Sequence, residues 1–204
     1  MEDKRKFVKK ALLLEYITVG YNILEGIFSI LAGYLAGSIA LVGFGLDSGV
    51  ESVSGGVLIW RLLKHGKSTE AEEEEAESKA IKFVGYSFFI LAAYVFFESA
   101  RKLYFHEMPD PSLFGIIIAI LSIITMPVLS YAKLKTARQM GSKSLEADSR
   151  ETLVCALLSV ALLIGLGLNY LYGLWWADPV SALVIVGFIV KEGFETLEEA
   201  EEGE

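Results

Sequence analysis

Two acids stand in an otherwise apolar run: Asp47 and Glu51 in GSIALVGFGLDSGVESVSGGVLIW, residues 37–60. Four residues apart, they share one face of a helix. Each ionised carboxylate near the centre of a membrane helix costs about 2.5–3.5 kcal/mol on insertion scales. Two together also repel, so an unliganded pair keeps at least one proton. A divalent cation would neutralise both. A second polar stripe lies in SLEADSRETLVCALLSVALL, residues 144–163, where Asp148, Glu151, Thr152, Cys155 and Ser159 fall on one helical face. Glu151 and Cys155 repeat the four-residue spacing of the first pair, and Asp148 lies one turn nearer the start of the segment. Carboxylates and a thiolate on facing helices can enclose one ion, since zinc takes carboxylate oxygen at about 2.0–2.2 Å and cysteine sulfur at about 2.3 Å. Such ligands bind deprotonated, so taking up the ion displaces protons, the chemical basis of cation/proton exchange. The competing reading is structural: protonated acids bonded to neighbouring helices, and a cysteine filling core space.

The elements that must position these residues are membrane helices. The chain has 204 residues, is 53% hydrophobic and has a mean hydropathy of +0.49, well into the membrane class. Its apolar runs predict six spans, at 11–33, 38–60, 83–100, 113–132, 152–173 and 177–190. Most reach the roughly 20 residues that a helix needs to cross hydrocarbon. Lys191 can snorkel from the short last span. The ten-residue alternating segments of a membrane β-barrel are absent. The expected fold is therefore an all-α membrane protein with six transmembrane helices. Its organisation reads as a cytoplasmic N-terminus over 1–10, a transport domain over 11–197 and an acidic cytoplasmic tail over 198–204. Of the 18 basic residues, all but Arg101 and Lys102 fall on one side of these spans, which puts both termini in the cytoplasm of a multi-pass cell-membrane protein. The N-terminal apolar run is too long for a cleaved signal peptide.

The net charge of −8 comes from two acidic runs, at 69–79 and 191–204, which read as a solvated linker and tail. Within span one, Asn22 and Glu25 are three residues apart and either line the ion path or bond between helices. Glu15 reads as solvated at the cytoplasmic edge and Glu98 as interfacial. Asp178-Pro179 reads as N-cap and first residue of helix six. Gly45 and Gly49 mark a close helix contact. There is no HExxH, no histidine within a span to serve a nucleophilic serine, and no phosphate-cradling glycine loop, so no enzyme is expected. Nor is a nucleic-acid partner or a permanent cofactor.

Three motifs in order, GSIALVGFGLDSGVES, EADSRETLVCALLS and WWADPVSALVIVGF, resemble the membrane domain of the cation diffusion facilitators. The likeness covers about residues 10–197 and is to a compact prokaryotic branch with the membrane domain only. The resemblance implies a transporter that binds Zn²⁺, Mn²⁺, Fe²⁺ or a similar ion as its cargo, Zn²⁺ foremost. It also implies exchange for protons by alternating access in the bilayer, often as a homodimer. The family's helix-two ligands fall on Asp47 and Glu51, and its helix-five ligands on Glu151 and Cys155. The usual helix-five pair is His and Asp, whereas this chain has Glu and Cys, and both of its histidines, His65 and His106, fall in loops. Carboxylates suit harder ions, while thiolate favours Zn²⁺ or Fe²⁺. The family's common C-terminal cytoplasmic metal-binding domain is expected to be absent. The alternative is a non-transporting scaffold or regulatory subunit whose buried acids hold helices together.

Overall fold

A computed structural model describes the backbone of residues 2–64 and 70–202. The side chains of 2–6, 64–81, 143 and 199–204 are outside the described set, so His65 and most of the two acidic runs lie outside the described residues. Among the described residues six helices follow one another: α1 (Glu2–Ala36), α2 (Ile39–Lys64), α3 (Glu70–Phe105), α4 (Leu113–Met140), α5 (Lys143–Tyr172) and α6 (Ala177–Glu202). At 1.5 Å per residue, even a 26-residue helix such as α2 is about 39 Å long, so the helices outrun a hydrocarbon core of about 30 Å. The acidic run at 69–79 is accordingly helical from Glu70 and continues into α3. Glu, Ala and Lys are good helix formers, and acids near an N-terminus oppose the helix dipole favourably.

The corners have local causes. Gly37 adopts a left-handed φ of 64° at the end of α1, a conformation a β-carbon would strain. Ser38 then accepts a hydrogen bond from the Leu41 amide at 3.1 Å and caps α2. Between α4 and α5 the connection is only Gly141-Ser142, with Ser142 as N-cap, so α5 begins eight residues before Glu151. That early start places Glu151 within α5, about two turns from its N-terminus.

Helix α2 packs against α1, α3, α5 and α6, while α4 lies beside α5 and α1, and α6 beside α3 and α5. The interior around α2 is filled by Leu41, Phe44, Phe88, Val95, Met126, Leu158, Leu162, Leu166, Ile185 and Ile189. Large apolar side chains also cover the outside, among them Leu31, Ile90, Phe97, Ile124 and Leu171, which is what a lipid-facing surface requires. Four helices, α1, α3, α4 and α5, are long and apolar enough over described stretches to cross a membrane. In α2 the acids Asp47 and Glu51 interrupt the apolar run, and α6 turns acidic from Glu192. The serines and glycines of α2 are small, which lets neighbouring helices approach. A β-carbon on Gly45 would stand 2.8 Å from Ser29 Cβ and 2.9 Å from the Gly26 carbonyl oxygen, so α1 and α2 meet almost backbone to backbone there. Gly49, its partner in the spacing, has open space instead.

Candidate metal centre

Helix α2 turns Asp47 and Glu51 toward α5, and there they meet Cys155. One ligand atom from each of the three residues lies within 4.8 Å of the other two. All three are buried, at 3%, 9% and 0% exposure. Helix α1 closes the third side. Asn22 Nδ2 donates to Glu51 Oε2 at 3.0 Å, Ser48 Oγ donates to Glu25 Oε2 at 3.0 Å, and the Cys155 thiol lies 3.9 Å from the same Glu25 oxygen. Asn22 and Glu25 therefore do bond between helices, as one of the two sequence readings has it. Asn22 Oδ1 and Glu25 Oε1 are buried with no hydrogen bond among the described residues, and Glu25 stands beside the thiol without joining the group of three. Two carboxylates and one thiol, with a third carboxylate in reserve, form a mixed hard and soft donor set of the kind that holds a first-row divalent ion.

Glu151 is outside this group of three. Ser54 Oγ donates to its Oε2 at 3.1 Å, tying α5 to α2 about one turn beyond Cys155. Glu151 shares with Glu51 a small cavity, with room for little more than a water molecule, that Glu15, Asn22, Lys133 and Asp148 also line.

Several residues stand elsewhere than their positions in the sequence suggest. Glu15 is not solvated: it is 0% exposed and paired with Lys133 Nζ at 3.1 Å. Lys133, read as part of the basic flank after span four, is 1% exposed. Its Nζ also holds Asp148 Oδ2 at 2.5 Å and donates to Thr152 Oγ1 at 3.3 Å. Asp148 thus joins α4 to α5 rather than the three-residue group. The helices run on past the apolar spans, and a charged residue inside such an extension is buried where a third helix covers it. The signal was present in the sequence: Met126, Ser130, Lys133 and Ala137 are all buried on one face of α4, a spacing of three and four. Asp178 caps a helix, but not its own. It accepts from the Ser38 hydroxyl and, at 3.0 Å, from the Ile39 amide, so it holds the N-terminus of α2 from 139 residues away. Glu98 pairs with Arg101 at 2.9 Å at the surface. His106 sits in the α3–α4 connection with its ring 5.2 Å from Trp175, remote from the buried acids in sequence and in element.

Comparison with known proteins agrees with this architecture. The family described as the cation efflux transmembrane domain matches residues 16–201. An uncharacterized transporter of Methanocaldococcus jannaschii is 24% identical over 92% of this chain and 66% of its own length. The magnetosome protein MamB of a Magnetospira species is 27% identical over 88% of this chain and 61% of its own. The cation-efflux pump FieF of Shewanella oneidensis is 26% identical over 64% of this chain and 41% of its own. The chain thus spans two thirds or less of the length of these relatives. With the family match covering nearly all of the sequence, the chain belongs to the cation efflux transmembrane domain family, a family of multi-pass membrane transporters and not of enzymes.

Proposed function

We propose that this chain exports a divalent cation from the cytoplasm, Zn²⁺ foremost and Mn²⁺ or Fe²⁺ as close alternatives, in exchange for protons. The observation that carries the reading is the convergence of Asp47, Glu51 and Cys155, each buried, on one point between α2 and α5. Burying two acids and a thiol this close is costly unless something positive lies among them. A divalent ion satisfies all three at once, and Glu25 or Glu151 supplies a fourth ligand. Glu25 lies beside the thiol, while Glu151 is the residue that the family resemblance points to. Asn22, Glu25 and Asp148 lie along the approach. Binding the ion requires the carboxylates and the thiol to give up their protons, and releasing it lets protons return, so the same groups can carry both partners of an exchange. The name of the Shewanella relative, a cation-efflux pump, supports the outward direction. Six membrane crossings with both termini cytoplasmic, a location in the cell membrane and assembly as a homodimer complete the reading.

A scaffold role draws support from the bonds of Asn22 to Glu51 and of Ser48 to Glu25, which tie α1 to α2. Proteoliposomes separate the two. Wild-type protein should move Zn²⁺, and in parallel assays Mn²⁺ or Fe²⁺, with proton movement in the opposite sense. Asp47→Asn should insert and fold but move no ion. Absence of flux for every ion tested, or wild-type flux in Asp47→Asn, would refute the transport reading.

A further inference from the structure

The interior of the bundle already holds one cation, and it belongs to the chain. The Lys133 ammonium on α4 sits among Asp148 Oδ2 at 2.5 Å, Glu15 Oε2 at 3.1 Å and Thr152 Oγ1 at 3.3 Å. A buried ammonium must be paired, and here two carboxyl groups share a single ammonium. Glu15 Oε1 is buried and has no partner, so the cradle has an oxygen to spare. All its donors are oxygens from α1 and α5, with no sulfur, the kind of set that suits Mn²⁺ or Mg²⁺. The cradle lines the same small cavity as Glu51 and Glu151, so the two sets of acids are neighbours.

We propose that Glu15, Asp148 and Thr152 form a second cation site, filled by the Lys133 ammonium, so that the transporter holds one divalent ion at a time. The tethered ammonium satisfies the cradle without leaving it, and the cargo ion is left with the site of Asp47, Glu51 and Cys155. This rests on the reading of those three residues as the cargo site, and the test keeps the two apart.

Mn²⁺ alone is the probe, counted per purified chain by equilibrium dialysis and by the electron paramagnetic resonance of the bound ion. Wild type should bind one Mn²⁺, Asp47→Asn none, Lys133→Met two, and Asp47→Asn/Lys133→Met one. Lys133→Arg, which keeps a cation in the cradle, should bind one like wild type. The wild-type and Asp47→Asn counts test the cargo site by themselves. The gain of one ion on loss of Lys133, in either background, tests the cradle whatever the wild-type count proves to be. No gain in either background would overturn the proposal, because the two acids would then have taken protons in place of a cation. If Lys133→Met is unfolded in metal-free buffer, Mn²⁺ should restore its melting transition by replacing the ammonium. Failure of Mn²⁺ to restore it would equally overturn the proposal, since Lys133 would then be doing something that a free cation cannot.

Discussion

At the scale of single residues, the soft donor of the proposed site makes the sharpest difference. Cys155 is the chain's single cysteine, and its sulfur is the one donor in the group that favours Zn²⁺ over harder ions. Cys155→Ser should therefore move the order of preference from Zn²⁺ toward Mn²⁺, measured as competing affinities by calorimetry; an unchanged order would remove the thiol from the ligand set. The same titrations carry a pH test. Because ligands must lose protons to bind, affinity should weaken as pH falls, and calorimetry in buffers of different ionisation enthalpy should count protons released per ion. Release of none would contradict cation/proton exchange at this site. The faces that bring Asp47, Glu51 and Cys155 together were legible as polar stripes on two apolar helices, but the same spacing put Glu151 with them, and the structure leaves it outside the group of three. The pairing of Lys133 with Glu15 and Asp148 was not legible, because the end of an apolar run marks the edge of the hydrocarbon and not the end of the helix. Which buried charge faces which depends on how α1, α4 and α5 meet beyond that edge.

At the scale of helices, two contacts hold α2 in the place where its acids face α5. The first is the close approach to α1 at Gly45. In Gly45→Val the added carbons would fall against Ser29 and the Gly26 carbonyl, forcing the helices apart at a cost of about 1–3 kcal/mol. Asn22 and Glu25 move with α1, so ion affinity should fall together with the melting temperature in detergent; normal values of both would mean that the contact is looser than described. The second is the cap from Asp178. Asp178→Ala leaves the Ile39 amide and the Ser38 hydroxyl without their buried acceptor and should cost about 0.5–2 kcal/mol, read as a lowered melting temperature. The number and order of the helices were readable from the apolar runs, but their ends were not: α3 begins at Glu70 and α5 at Lys143, well before the apolar stretches at 83 and 152, and the caps by Ser38, Ser112 and Ser142 went unread. The cap by Asp178 was readable only as a local one, because nothing local tells residue 178 that the amide it accepts from is at residue 39.

At the scale of the whole molecule, the apolar exterior and the distribution of basic residues make a statement about sidedness. Cysteines introduced at residues 64–78 or near the C-terminus should react with impermeant thiol reagents only from the cytoplasm. One at Glu107, in the α3–α4 connection beside Arg101 and Lys102, should react only from outside. The native Cys155 is buried and should stay silent in both. Labelling of the C-terminal position in intact cells would reverse the orientation and, with it, the direction of export. The central claim is narrower than topology: that Asp47, Glu51 and Cys155 hold the transported ion together. The most direct measurement is zinc X-ray absorption on the Zn²⁺-loaded protein. The spectrum should show one sulfur at about 2.3 Å with oxygens at about 2.0–2.2 Å, and the sulfur shell should vanish in Cys155→Ser. A zinc environment with no sulfur in the wild type would contradict the account.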